Sequence, residues 1–185
     1  MVKKNNAPKN TFVTHTLSPI YNKNSKILIL GSFPSIKSRE NNFYYGHPQN
    51  RFWDVIAYTC FKINNQSKKQ NIHNISTKEE KIKLLLTNNI ALWDVIYSCT
   101  ITGSSDSSIK DVTPNNIKKI LDVADIQAVF TNGGLATKLY SKYLEPITNL
   151  KPIQLPSTSP ANARFTLVKL QHIWSNEIAS KIKNK

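Results

Sequence analysis

The chain sets short apolar runs between amphipathic stretches. Ile27 to Leu30 form an unbroken aliphatic run that stops at Gly31, which predicts a buried parallel strand meeting a tight turn. From Arg51, the stretch RFWDVIAYTCF puts Phe52, Val55, Ile56 and Cys60 on one face of a helix. Ser76 with Glu79 predicts a capping box that opens a helix through Leu86. Ile90 to Ile96, IALWDVI, reads as a second buried strand interrupted by Asp94, and Tyr97 to Val112 as a serine-rich loop. Thr113 as N-cap and Pro114 at the first helical position predict a short helix over NNIKKIL. A third strand is expected at Ile126 to Thr131, then a turn at Gly133-Gly134 into a helix ending near Leu144. Pro152 to Leu155 reads as the fourth strand, and a C-terminal helix carries Phe165, Ile173, Trp174 and Ile178. Strands alternating with helices predict an α/β fold of three layers, α/β/α, around a central four-stranded parallel sheet with right-handed crossovers. Residues 1–12 are polar and basic and are expected to be a loose tail, residues 13–185 a single domain, and Asn64 to Asn74 a polar surface loop.

Each predicted strand delivers its carboxyl end into a loop of unusual composition, at 31–50, 97–112, 132–134 and 156–163. That rim is where open parallel sheets hold ligands. Lys plus Arg number 25 against 11 acids, a formal net charge of +14. The imbalance suits a polyanion, nucleic acid before membrane, because no helical stretch joins a basic face to a large apolar one. A general bias toward Lys would produce the same charge. Arg is used at only three positions, Arg39, Arg51 and Arg164, all in or just after the first and last of these loops, where a planar fork suits phosphate. Cys60 and Cys99 are far apart, and the four His show no metal-ligand spacing, so no disulfide, metal or cofactor is expected. No run of about 18 apolar residues is present, and the first residues lack an apolar signal core. The expectation is a cytoplasmic monomer without membrane contact.

Specific residues narrow this further. GSFPS at Gly31 to Ser35, followed by FYYGHPQNRFW at Phe43 to Trp53, resembles the first motif of the uracil-DNA glycosylase superfamily, in the branch of hypoxanthine-DNA (deoxyinosine) glycosylases. LPSTSPANA at Leu155 to Ala163 resembles that branch's second motif, and GSSDSSIKDVTP at Gly103 to Pro114 and FTNGG at Phe130 to Gly134 also fit it. The blocks occur in order between about Leu17 and Trp174. The resemblance implies a metal-free, monofunctional enzyme of base-excision repair whose partner is DNA carrying deaminated bases. Such an enzyme must extrude the base, stack it, stabilise its departing anion and place a water.

The same resemblance implies roles for individual residues. Asn50 would position the water, although its place also suits capping of the following helix. Tyr45 would stack on the base, with Phe43 and Tyr44 competing for the role and Phe33 lining the site. Phe33 stands where mismatch-specific relatives carry a water-activating Asn, which shifts the expected substrate away from uracil. Asp94 would accept a base N–H, or else be a structural acid held by amides of the serine-rich loop. Asn132 would contact base or sugar, or simply make the turn before Gly133. Ser32, Ser35, Arg51, Ser157, Ser159, Asn162 and Arg164 are candidates for the DNA backbone, with Pro160-Ala161-Asn162 as a wedge into the vacated stack. Two other functions fit the pattern: a uracil- or mismatch-specific enzyme of the same superfamily, and a non-catalytic nucleic-acid-binding domain. A Ser-His-Asp triad through Asp106 is disfavoured, since no His but His47 lies in a comparable loop and no nucleophile elbow is present.

Overall fold

Ile27 to Leu30 are completely buried because the strand they form has a neighbour on each side. The computed structural model describes residues 10–64, 75–102 and 106–182. The central sheet contains β2 (Ile27–Gly31), β3 (Ile90–Asp94), β6 (Ala128–Asn132) and β7 (Pro152–Leu155), all parallel, in the order β3-β2-β6-β7. With both faces covered, such strands need no alternation, and the continuous aliphatic runs follow from that. The chain first moves from β2 to β3, then returns past β2 to β6 and on to β7. The direction therefore reverses between β2 and β6, and their carboxyl ends flank the crevice where open sheets bind ligands.

The helices are α1 (Ile36–Glu40), α2 (Phe52–Ile63), α3 (Lys78–Thr87), α4 (Lys118–Leu121), α5 (Gly134–Tyr143), α6 (Glu145–Thr148) and α7 (Leu167–Ile182). Helix α2 packs along α7, and Trp174 of α7, fully buried, meets Phe52 of α2 edge to face at 5.9 Å. The Trp174 indole donates to the Pro156 carbonyl at 3.0 Å, which ties α7 to the loop after β7. Burying each large apolar side chain of this kind stabilises by about 1.5–3 kcal/mol. Among the described residues no helix is long and apolar enough to cross a membrane.

The parallel sheet and the span of β7 agree with the sequence pattern, but a second sheet does not. The stretch expected as a serine-rich loop holds β4 (Ile96–Thr102) and β5 (Lys110–Pro114), which join β1 (Asn10–Thr14) in an antiparallel sheet of order β1-β4-β5. The predicted strand over 90–96 is thus two: β3 ends at Asp94, and Ile96 opens β4. The buried Asn115 side chain fixes this corner by donating to the carbonyls of Asp94 at 2.9 Å and Ile96 at 3.1 Å. Thr100 and Thr102 on β4 are only half-buried, as one face of an antiparallel strand can be, while Ser98 is buried.

Smaller corrections follow from local chemistry. Asn10 to Phe12, expected in the tail, belong to β1, while residues 1–9 and the loop 65–74 lie outside the described residues. Thr113 and Pro114 end an edge strand instead of opening a helix, a place where a missing N–H costs nothing, and α4 starts at Lys118. The capping box sits one residue later than predicted, on Thr77 and Glu80. Phe165 precedes α7, and Ile173 is only half-buried.

Candidate active site

All four strands of the parallel sheet end at one cavity of about 480 Å³. Gly31 to Ser35 enter it from β2, Asp94 from β3, Asn132 to Leu135 from β6, and Ser157 to Ser159 from beyond β7. Tyr45, Asn50 and Arg39 complete the wall from the segment between β2 and α2, and Ile101 contributes from the antiparallel sheet.

Asn50 and Asn132 are joined through Thr158. The Thr158 N–H donates to Asn132 Oδ1 at 3.0 Å, and Asn132 Nδ2 donates to Thr158 Oγ1 at 2.9 Å. Thr158 Oγ1 in turn donates to Asn50 Oδ1 at 3.0 Å, which also accepts the Phe52 N–H at 3.0 Å. Backbone N–H groups can only donate, so both amide orientations are set by chemistry. Asn50 therefore presents its NH2 edge as its unspent group, and Asn132 keeps one N–H beyond the pair. Asn50 also serves the helix start: its oxygen caps the first amide of α2, while Arg51 occupies the N-cap position without a side-chain bond.

Tyr45 stacks on Phe52 with ring centroids 3.8 Å apart and planes 18° from parallel, and it lines the cavity. Its φ of 52° is uncommon for an aromatic residue, a strain that the surrounding structure must hold in place. The Tyr45 hydroxyl is buried without a hydrogen-bond partner. Burial first, and the nearby Asp94 charge second, push its ionisation far above the ordinary tyrosine range, so it remains a donor.

Asp94 is buried, and its partner is His15, not the serine-rich stretch: His15 Nε2 meets Asp94 Oδ2 at 2.9 Å. The Leu17 N–H donates to His15 Nδ1 at 3.1 Å, so the ring proton sits on Nε2 and points at the carboxylate. Asp94 Oδ1 lies so close over Gly31 that a Cβ there would stand 2.2 Å away, which makes glycine obligatory at the end of β2. Gly133, at φ 95°, is similarly constrained, because a Cβ would meet the Ser157 side chain at 2.9 Å. Phe33 lines the cavity and packs edge-on against His15, with ring centroids 6.0 Å apart.

Several expected site residues are placed differently. Phe43 does not line this cavity. It stacks on Trp53 at 5.5 Å and faces a second hollow of about 370 Å³ beside α3. Arg51 does not present its fork to solvent: it donates to the carbonyls of Thr158, Ser159, Asn162 and Phe165, clamping the loop after β7. In that loop Ser157 Oγ accepts the Ser159 N–H, Ser159 Oγ accepts the Ala161 N–H, and Asn162 Nδ2 donates to the Ser157 carbonyl. Pro160 and Ala161 are exposed at the rim, and Arg164 is exposed outside the cavity. Ser32 lines the cavity, and Ser35 lines it while capping α1.

Two participants escaped the sequence reading. Thr158 sits between two serines and gave no signal of its own. His15 lies 79 positions before Asp94, beyond any local pattern. Among the described residues no group of three His, Cys, Asp or Glu converges as metal ligands.

The model of the family described as "Uracil DNA glycosylase superfamily" matches residues 18–176. A hypoxanthine DNA glycosylase of Methanosarcina acetivorans is 33% identical over 148 residues, 80% of this chain and 87% of that one. Its namesake from Methanosarcina barkeri is 33% identical over 154 residues, 79% and 86% of the two chains. A solution NMR structure of a Methanosarcina acetivorans protein, provisionally named a uracil DNA glycosylase, superposes with a TM-score of 0.69. It is 29% identical, with 90% of this chain and 98% of that one covered.

Proposed function

The chain belongs to the uracil DNA glycosylase superfamily, and on that premise we propose that it excises hypoxanthine from DNA as a monomeric, monofunctional glycosylase of base-excision repair. The observation that carries the reading is the convergence of Tyr45, Asp94 and the Asn50–Thr158–Asn132 relay on one cavity. Tyr45, backed by Phe52, offers one ring face to an extruded base, a contact worth roughly 1–3 kcal/mol. Asp94 supplies an acceptor for the ring N–H that deaminated bases carry and that adenine and cytosine lack at the equivalent position. His15 holds that acceptor in place from behind.

Hydrolysis breaks the C1′–N9 bond with its electron pair left on the base, while water oxygen bonds to C1′ and its proton passes through solvent to the departing base anion. The sugar becomes oxocarbenium-like before the water is fully bonded, so no strong base is required. Asn50 has no useful basicity, and its NH2 edge holds the water by a lone pair, leaving the other directed at C1′. The Asn132 amide, in the cavity wall, is suited to the departing base or its sugar. The net charge of +14 draws the enzyme to DNA, and binding weakens as salt rises.

The test is single-turnover excision on labelled duplexes carrying deoxyinosine, deoxyuridine, deoxyxanthosine or intact bases. Release of hypoxanthine should be fastest, leaving an abasic site that breaks only with alkali or heat. Equal or faster release of uracil would reject the substrate, and release of nothing would favour a binding domain.

A further inference from the structure

Arg39 stands in the cavity wall with a donor to spare. Its guanidinium carbon lies 5.7 Å from the Phe33 ring centroid, and its Nε is buried without a hydrogen-bond partner. Among the described residues no carboxylate forms an ion pair with it. A buried charged donor left open is costly, and it signals a ligand or an ordered water. The other two arginines differ: Arg51 is spent on four carbonyls, and Arg164 lies exposed away from the cavity.

Resting on the purine-excising reading of this cavity, we propose that Arg39 reads the O6 and N7 acceptors of the extruded base. Hypoxanthine presents N1–H, O6 and N7 in succession along one edge. Asp94 answers the first of these. Phe33 bridges the two readers, its ring edge-on to His15 behind Asp94 and within 5.7 Å of the Arg39 guanidinium carbon. A planar guanidinium donating to O6 and N7 is the commonest specific contact made to the same two atoms of guanine. Adenine places an amino donor where O6 stands, and uracil has no N7, so the fork disfavours both. The contact also strengthens as the C1′–N9 electron pair moves onto the leaving base and spreads over the imidazole ring toward N7.

The test uses duplexes that bind but resist cleavage, carrying 2′-fluoro-2′-deoxyinosine or its 7-deaza counterpart. The full-length protein should bind the N7-bearing duplex roughly 10-fold more tightly. Arg39→Met should bring that ratio close to one. Arg39→Lys keeps the charge but not the fork, so the ratio should fall because the N7-bearing duplex loses affinity while the 7-deaza duplex is bound about as before. A ratio unchanged in both variants, with the two duplexes weakened alike, would mean a phosphate contact and would overturn the assignment. No N7 preference in the wild type would overturn it as well. Cleavable deoxyinosine run alongside tests the substrate reading separately, because the affinity ratio is measured whether or not hypoxanthine is released.

Discussion

The loop after β2 and the loop after β7 meet at the same cavity but spend their polar groups differently. In the first, the Tyr45 hydroxyl and Arg39 Nε are buried without partners, and Asn50 keeps its NH2 edge free. In the second, Ser157, Ser159 and Asn162 are bonded within the loop, and Arg51 ties its carbonyls from outside. Open donors beside a cavity are groups awaiting a ligand, and closed ones are scaffolding. The first loop is therefore the reader and the second its brace, with Thr158 as the one side chain of the brace that reaches the reading groups.

The largest expected effect is on the reader. Asn50→Ala should slow single-turnover excision by roughly 10²–10³, the rate equivalent of about 2.7–4 kcal/mol, as for one preorganised polar contact in comparable sites. Affinity for DNA should stay near wild type, because the contact is made best in the transition state. Loss of the cap to Phe52 should cost about 1 kcal/mol of stability besides. A normal rate with lowered melting temperature would make Asn50 part of the brace and dissolve the contrast.

Arg51→Met should show the opposite signature. Leaving its carbonyl partners short of donors should cost about 1–3 kcal/mol, each kcal/mol lowering the melting temperature by about 2–4 °C in a chain of this size. The salt dependence of DNA binding should not change. A salt slope reduced by about one would place Arg51 on a phosphate instead.

The smallest effect lies outside both loops. Hydrogen bonds from the Thr77 and Ser76 backbone hold the exposed Glu80 carboxyl below its usual value of 4.5. A depressed folded-state value stabilises above the unfolded value, and that contribution disappears as pH falls through the folded one. Melting temperature should thus decline below about pH 4.5 less steeply in Glu80→Gln than in wild type. Parallel acid limbs would show that the capping box carries no pH dependence.

Much of the parallel sheet was legible because a strand buried on both faces leaves a continuous apolar run ending at a turn residue, as at Leu30-Gly31. The antiparallel sheet was not, since Ser98, Thr100 and Thr102 read as loop when their pairing partners on β1 and β5 are unknown. Asn50, Tyr45 and Asp94 stood out as polar or ring-bearing breaks at strand and helix ends, and the cavity gathers them. His15 could not be found that way, because its partner Asp94 is brought to it only by the fold. Arg51 misled because a lone arginine in a motif looks the same whether its fork meets phosphates or backbone carbonyls. Phe43 misled because three successive aromatic residues point in different directions, and only Tyr44 and Tyr45 turn toward this cavity.

The division between reader and brace is tested most directly by a double-mutant cycle of Asn50→Ala with Thr158→Val, read by single-turnover excision on a deoxyinosine duplex. If Thr158 serves the chemistry by holding the two amides, Thr158→Val costs less in Asn50→Ala than in the wild type, because only its hold on Asn132 is left to lose, so the effects are less than multiplicative. Rate losses that multiply would mean that Thr158 acts on the substrate independently, and the loop after β7 would then be a reader in its own right.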